Sequence, residues 1–222
     1  MSGLSTPFPS AVIFDWDNTL VDTWDAIAEA LNKVRAMAGL ETWTVEEARI
    51  KSAYPLRVSF PRWFGDEWEK MRDIFYDHFR KIQMERLQRK EGAEELLLWL
   101  QTQKIPLFVV STKRQDLLLA EAEHLGWRTF FTEMIGVRDG SPSKPNRQPV
   151  DIALSKADLC ADNPSVWFVG DTHVDVECAL SSGCTPIFVW NLHQGQKLGI
   201  KNNFSDCVAI KTALSKWNKN SS

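Results

Sequence analysis

Two aspartates separated by one residue, Asp15 and Asp17, directly follow the apolar run Ala-Val-Ile-Phe. Alternate residues of an extended strand point to the same side, so we expect the two carboxyl groups to lie together and Trp16 to point away. Neighbouring carboxylates repel each other unless a cation joins them or one of them is protonated. The pair therefore indicates either acid–base and metal chemistry or an ordinary strand-end turn, in which Asp and Asn are common.

Other polar positions downstream carry groups that could bind an anion or a cation. The Ser111 hydroxyl and the backbone N–H groups after it could hold phosphate oxygens, or the serine could cap a helix. Lys144 lies in a loop between two prolines, where a lysine is usually a solvated surface charge. Asp171 and Asp175 could ligate a hard cation such as Mg²⁺ or simply place negative charge at a helix start.

The elements that must position these groups follow an α/β pattern. Continuous apolar runs are typical of parallel strands buried on both faces, and they predict strands over residues 11–14, 106–110, 166–169, 186–190 and, more weakly, 130–135. Helical segments over 115–125 and 174–182 follow two of these strands, and each is followed by a glycine that can end a helix. We therefore predict a Rossmann-like parallel sheet with helices on both faces.

An insertion interrupts this alternation between the first two strands. About 90 residues separate them, whereas a strand–helix–strand unit needs about 30. Helical spacing of apolar residues predicts helices over 23–38 and 66–88, and a capping box at Thr44–Glu47 predicts another between them. We expect residues 1–21 and 91–222 to form the core domain and residues 22–90 a helical cap. The polar segment 216–222 is expected to fray.

The candidate groups share one position in the predicted sheet. The carboxyl ends of parallel strands converge on one crevice, which is where ligands bind in such folds. Asp15, Ser111 and Asp171 each follow a strand, and Lys144 lies in an adjoining loop. Ser111 and Lys144 are 33 residues apart, and Lys144 and Asp171 are 27 apart, so each interval suits about one α/β unit. This register favours one shared site over several unrelated surface features.

Composition limits the possible classes of function. The chain of 222 residues has a net charge of −3, with 26 basic and 29 acidic side chains, so general nucleic-acid binding is disfavoured. Its four cysteines complete no zinc motif, and no apolar stretch has the length of a membrane span or signal peptide. We therefore expect a cytoplasmic protein that binds neither nucleic acid nor membrane. A small anionic ligand is compatible with this composition.

The four motifs together resemble those of the haloacid dehalogenase superfamily. The sequence DWDNT, which begins at Asp15, is similar to the first motif, Ser111 to the second, Lys144 to the third and GDTHVD, which ends at Asp175, to the fourth. The resemblance extends over residues 11–190 and implies an α/β core with a helical cap inserted after the first motif. Within the superfamily, the chain is most similar to the phosphoglycolate phosphatase group.

The resemblance implies a role for each motif residue. Asp15 would attack phosphorus to form an aspartyl-phosphate, and Asp17 would protonate the departing alcohol and then deprotonate a water. Mg²⁺ would bind the carboxylates of Asp15 and Asp171 and the backbone carbonyl of Asp17. Asp175 would position Lys144 or a metal-bound water. The resemblance also implies phosphate binding by Asn18, Ser111, Thr112 and Lys144, and a supporting role for Thr19.

These implications lead to a hypothesis about function. Superfamily members that act on halides or phosphonates lack an acid at the position of Asp17, so the chain resembles a Mg²⁺-dependent phosphatase of a small phosphorylated metabolite, such as phosphoglycolate or a sugar phosphate. A phosphomutase and a catalytically silent binding or regulatory protein with a tryptophan-rich cap remain alternatives. Trp16 departs from the residues usual at its position, and we expect a packing difference there. The sequence leaves the oligomeric state open.

Overall fold

The fold divides into two compact units. The computed structural model describes residues 6–52 and 56–220. A core unit comprises the chain up to Val21 and from Arg89 onward, and an inserted unit spans Asp22–Gln88.

A six-stranded parallel sheet forms the centre of the core unit, with the strand order β5-β4-β1-β6-β7-β8. Over the described residues, and including two short strands outside this sheet, the strands are β1 (Ala11–Phe14), β2 (Val21–Asp22), β3 (Gln88–Arg89), β4 (Leu107–Arg114), β5 (Glu133–Val137), β6 (Val166–Gly170), β7 (Thr185–Val189) and β8 (Asn203–Phe204). The short strands β2 and β3 pair with each other, where the chain passes from one unit to the other. The prediction of a parallel α/β sheet is confirmed.

Helices connect the strands in the alternating order that a parallel sheet requires. They are α1 (Trp24–Met37), α2 (Val45–Lys51), α3 (Leu56–Phe64), α4 (Trp68–Arg86), α5 (Ala93–Thr102), α6 (Gln115–His124), α7 (Gln148–Ser155), α8 (His173–Ser181), α9 (Leu192–Lys197) and α10 (Cys207–Asn220). Gly126 and Gly183 follow α6 and α8 with φ values of +71° and +63°. This left-handed conformation is the one that ends a helix most readily at glycine.

The central strands are buried on both faces. Ala11 and Ile13 of β1 belong to a cluster that includes Val150 of α7 and Ala179 of α8. The alternate residues of β1 point to the opposite face and are also buried, because helices cover that side as well. Full burial explains why the strand sequences are continuous apolar runs rather than alternating ones.

Strand β4 is longer than predicted. The apolar run ends at Val110, but the strand continues to Arg114, which pairs with Val137 of β5 after a break in register. The additional residues are polar, and they alternate between buried side chains, Ser111 and Lys113, and exposed ones, Thr112 and Arg114. Strand β5 begins at Glu133 rather than at residue 130, because residues 128–130 form a short 3₁₀ turn.

The C-terminal segment corrects one expectation. Residues 216–220 do not fray but complete the helix α10. Ile210 and Leu214, one helical turn apart, are buried and hold this helix, which packs on α5. Residues 221–222, which belong to the same prediction, lie outside the described residues.

The inserted unit is helical and has its own apolar core. Helix α4 buries Met71, Phe75 and Phe79 at helical spacing, and the ring of Phe60 lies 5.6 Å from that of Phe75. The capping box predicted at Thr44 is confirmed, since its hydroxyl and the Glu47 carboxylate each accept the other's backbone N–H. Within the described ranges, no helix of the chain has the length and apolarity needed to cross a membrane.

Candidate active site

The carboxyl end of β1 places Asp15 in a buried position between β4 and β6. Its backbone N–H donates to the Val169 carbonyl of β6 at 2.9 Å. The end of β6 therefore fixes the first residue of the loop that follows β1. Lys144 donates from Nζ to Oδ1 of Asp15 at 2.6 Å. The same ammonium donates to Oδ1 of Asp175, also at 2.6 Å. Three sequence-predicted residues from distant parts of the chain therefore meet here.

Lys144 is a buried residue, with only 4% of its surface exposed. Of the two readings that the sequence left open, the solvated surface lysine is therefore wrong. Burial alone lowers the pKa of a lysine, but the charges of Asp15 and Asp175 outweigh that effect and raise the pKa of Lys144 above its ordinary value. The residue is a fixed positive charge at the centre of the site.

Asp175 uses both of its carboxylate oxygens within the protein. While Oδ1 accepts from Lys144, Oδ2 accepts from the backbone N–H and the hydroxyl of Thr172, at 3.0 and 2.6 Å, in the capping box of α8. A Cβ atom at Gly170 would overlap the Cβ and Cγ atoms of Asp175. The glycine at the end of β6 is therefore needed for Asp175 to reach Lys144.

Asp171 is the third carboxylate of this group. One oxygen from each of Asp15, Asp171 and Asp175 lies within 4.8 Å of the others. Burial, and then the charges of Asp175 and Asp15, raise the pKa of Asp171 well above its ordinary value. Burial, partly offset by Lys144, raises the pKa of Asp15 to about 7. The three crowded carboxylates offer hard oxygen donors, and the single lysine beside them leaves negative charge that a divalent cation such as Mg²⁺ would offset.

The loop after β1 is held by contacts from residues that directly follow two other strands, β6 and β7. Asn18 has a left-handed backbone with φ of +63°, and its N–H donates to the Val21 carbonyl in a tight turn. The Thr19 hydroxyl donates to Oδ1 of Asp171 at 3.0 Å, and the Trp190 indole donates to the Thr19 carbonyl, also at 3.0 Å. Thr19 thus connects the first and fourth motifs.

Ser111 and Thr112 lie on β4 and face opposite ways. Ser111 is buried two residues beyond Val109, which is paired with Phe14, so the serine is at the same edge of the sheet as Asp15. Its oxygen accepts from the Lys113 backbone N–H at 3.1 Å. It does not cap α6, because Arg114 occupies the position before that helix. Thr112 alternates to the other side and is exposed.

The Asp17 carboxylate is paired with Lys113, a residue to which the sequence assigned no role at the site. Nζ of Lys113 lies 2.7 Å from Oδ1 of Asp17 and 2.8 Å from Oε1 of Glu121. The acidic group that could hold a metal therefore contains Asp175 rather than the Asp17 side chain. Lys113 was detectable in principle, because it lies two residues after Ser111 on an extended strand and so shares its side.

Comparison with known proteins places the chain in a family. A family model described as haloacid dehalogenase-like hydrolase matches residues 12–189, and the chain belongs to this family. A phosphoglycolate phosphatase of Chromobacterium violaceum is 28% identical over 189 residues, which cover 81% of this chain and 84% of that protein. A pyrophosphatase of Oceanobacillus iheyensis, PpaX, is 27% identical over 165 residues, with 74% and 76% covered.

A similar structure has also been solved. A haloacid dehalogenase-like family hydrolase from Streptococcus pneumoniae superimposes with a TM-score of 0.80 at 22% identity, and the match covers 91% of this chain and 96% of that one. At this identity the likeness concerns the fold. Together, these comparisons confirm the predicted superfamily, its α/β fold and an enzyme of the hydrolase class.

Proposed function

We propose that this protein is a Mg²⁺-dependent phosphatase that hydrolyses a small phosphate monoester through a phosphorylated Asp15. The single observation that carries the proposal is the contact of the buried Asp15 carboxylate with Lys144, within a cluster that also contains Asp171 and Asp175. A carboxylate held beside a fixed cation is positioned to attack an anionic phosphate, whose charge the cation offsets.

The metal would be held by the carboxylates of Asp15 and Asp171 and by the backbone carbonyl of Asp17. Oxygen donors suit Mg²⁺, and a bound cation would offset the burial and the charge repulsion that together raise the pKa values of both carboxyl groups. When bound, the metal supplies positive charge that allows an anionic nucleophile to approach an anionic phosphate. Asp175 is committed to Lys144 and Thr172, so its role is to position the lysine.

The chemistry takes place in two displacements at phosphorus. First, an oxygen of Asp15 forms a bond to phosphorus while the ester bond breaks, and Asp17 gives its proton to the departing alcohol oxygen. Second, Asp17 takes a proton from a water, whose oxygen displaces the Asp15 carboxylate and yields inorganic phosphate. Each displacement leaves Asp17 in the state that the other needs, so the cycle closes without another acid.

The phosphate would be oriented by Lys144, Ser111, Thr112 and Asn18. Ser111 and Lys144 are buried at the crevice, where hydrogen bonds to phosphate oxygens are strong because water is partly excluded. Asn18 is also buried, and its Oδ1 accepts no hydrogen bond from any residue in the described ranges. The side chain of Thr112 is exposed on the side of β4 opposite Ser111, so Thr112 would contact the phosphate through its backbone N–H.

The substrate is proposed to be a small phosphorylated metabolite, such as phosphoglycolate or a sugar phosphate. A relative named phosphoglycolate phosphatase supports this class. Pyrophosphate is a second candidate, because another relative is named a pyrophosphatase. The inserted unit, residues 22–88, is proposed to act as the cap that selects among these substrates. A phosphomutase would instead return the phosphate to a sugar, and a silent binding protein would turn over neither.

The test measures phosphate release by the purified chain with Mg²⁺ and after chelation. The panel contains phosphoglycolate, several sugar phosphates, pyrophosphate and p-nitrophenyl phosphate. We expect Mg²⁺-dependent release that Asp15→Asn abolishes, together with an acid-stable, hydroxylamine-sensitive phosphate on the wild-type peptide that contains Asp15. The matched control is Asp139→Asn, since Asp139 is exposed in the loop after β5. Turnover that survives Asp15→Asn, or the absence of turnover across the panel, would refute the proposal.

A further inference from the structure

A second buried charge cluster lies beside the carboxylate group that would hold the metal. It consists of Asp17, Lys113 and Glu121, and we call it the lysine bridge because Lys113 contacts both acids, at 2.7 and 2.8 Å. Only 5% of the Lys113 side chain and none of the Glu121 side chain is exposed, whereas 24% of the Asp17 side chain is. The bridge therefore runs from the protein interior toward solvent, and Asp17 is its accessible end.

Trp16 fixes the inner end of the lysine bridge. Its indole Nε1 donates to Oε2 of Glu121 at 2.7 Å, while Oε1 of the same carboxylate forms the ion pair with Lys113. The tryptophan ring is fully buried and packs edge-on against Trp127 and Phe131, with ring centroids 6.0 and 6.3 Å away. A ring held in this way has little freedom, and it restricts the rotamers of Glu121 in turn.

The charges in the bridge are mutually dependent. Burial lowers the pKa of Lys113, but Asp17 and Glu121 more than offset this effect and raise it, so the lysine stays charged. Glu121 supplies a second negative charge, so Lys113 is shared by two acids rather than being the counter-ion of Asp17 alone. A buried ion pair is a poor device for stability, because a well-packed apolar pair of similar volume usually does as well. The lysine bridge is therefore better explained by a role in the chemistry of Asp17, its accessible end, than by a contribution to stability.

We infer that Trp16 and Glu121 are positioning residues that act through Lys113 to hold the Asp17 carboxyl group where the proton of the leaving oxygen is transferred. This inference rests on the proposed function, because it needs Asp17 as the proton donor. Three separate elements converge on the bridge: the loop after β1, the strand β4 and the helix α6. Trp16 is thus more than a packing difference, since its N–H group takes part in the bridge.

The test separates the first chemical step from the second. The rate at which each of two substrates phosphorylates the enzyme is measured by stopping the reaction with acid. One substrate is an alkyl phosphate, whose leaving group needs a proton, and the other is p-nitrophenyl phosphate, whose leaving group does not. For Glu121→Gln we expect the phosphorylation rate with the alkyl phosphate to fall about 10- to 100-fold, because a small misplacement of an acid has effects of this size. The rate with the nitrophenyl ester should change less than about threefold.

Two further variants guard against a purely structural effect. Trp16→Phe removes the N–H donor and keeps a smaller aromatic ring at the cost of a cavity, so we expect the same selectivity in weaker form even if Glu121→Gln folds poorly. Glu123→Gln is the matched control, because Glu123 is exposed on the same helix. Adding Glu121→Gln to Asp17→Asn should cause no further loss with the alkyl phosphate, since residues that act through one another are not additive.

The outcomes distinguish this inference from the proposed function. Equal losses with both substrates, or additive losses in the double variant, would show that the bridge only maintains the structure and would overturn the inference. If Asp17→Asn is selective and both Glu121→Gln and Trp16→Phe are not, the inference falls and the phosphatase proposal stands. If Asp17→Asn itself shows no selectivity, Asp17 is not the acid, and the inference falls together with the role proposed for Asp17. Phosphorylation of Asp15 is tested separately by Asp15→Asn.

Discussion

The ammonium of Lys144 lies 2.6 Å from Oδ1 of Asp15, although 129 positions of the chain separate the two residues. Both are buried, and the lysine is also bound to Asp175. This contact defines the nucleophile in our proposal, because it places a permanent positive charge against the one carboxylate that lies directly at the end of β1.

The first prediction concerns Lys144→Met, which removes the charge and keeps most of the side-chain volume. We expect kcat to fall at least about 100-fold, because a charged donor to the reacting phosphate is lost. We also expect a loss of about 3–5 kcal/mol in the free energy of unfolding, since buried carboxylates are left without their cation. Steady-state kinetics and urea denaturation measure the two effects. Lys156→Met, at an exposed lysine, is the control and should change neither.

The second prediction concerns the leaving group and Asp17. Asp17→Asn should lower the phosphorylation rate with alkyl phosphates about 100- to 10,000-fold and leave that with p-nitrophenyl phosphate far less affected. The reason is that nitrophenolate departs without a proton, whereas an alkoxide does not. Rapid-quench measurement of the phosphorylated enzyme gives the rates directly. Equal loss for the two substrates would remove Asp17 as the acid.

The third prediction concerns Mg²⁺ and pH. Burial raises the pKa of Asp15 from 3.8 to about 7 and also raises that of Asp171. Between pH 4 and 7 the folded metal-free protein therefore binds more protons than the unfolded chain, and the contribution of Asp15 to stability falls as pH rises through this window. Since Mg²⁺ must displace these protons, its stabilising effect should be larger at pH 8 than at pH 5.

Thermal unfolding with and without Mg²⁺ checks this prediction. At a Mg²⁺ concentration about 100 times the dissociation constant at pH 8, kept the same at pH 5, the bound ion adds about 2.7 kcal/mol at pH 8. For a chain of this size, this corresponds to a rise in melting temperature of about 5–10 °C. Asp171→Asn should lose most of this increment, and Asp139→Asn should keep it. An increment that is equal at both pH values would contradict the assignment of the metal to Asp15 and Asp171.

The fourth prediction concerns Gly170, which has no room for a Cβ atom beside Asp175. Gly170→Ala should displace Asp175 from Lys144, lower the stability by about 1–3 kcal/mol and also lower kcat. Gly126→Ala is the comparison, because nothing lies near its Cβ position and only its left-handed backbone, with φ of +71°, is strained. It should cost about 1 kcal/mol and leave kcat unchanged. Equal effects of both on kcat would count against a special role for Gly170.

Local sequence determined much of the fold. The strand over residues 11–14 and the helix ends at Gly126 and Gly183 were predictable, because apolar runs and C-terminal glycines act within a few residues of chain. Polar residues at successive strand ends and in an adjoining loop also indicated which side chains lie together, with Asp15, Lys144 and Asp171 among them. The capping box at Thr44 is equally local, since it needs only residues three apart.

Tertiary structure alone decided how those side chains are paired. The contacts of Lys113 with Asp17, of Trp16 with Glu121 and of Trp190 with Thr19 join residues 96, 105 and 171 positions apart. No local pattern encodes such partners, because they depend on how helices and loops pack on the sheet. For the same reason, the sequence left open whether Lys144 was solvated, and burial against two carboxylates answered that question.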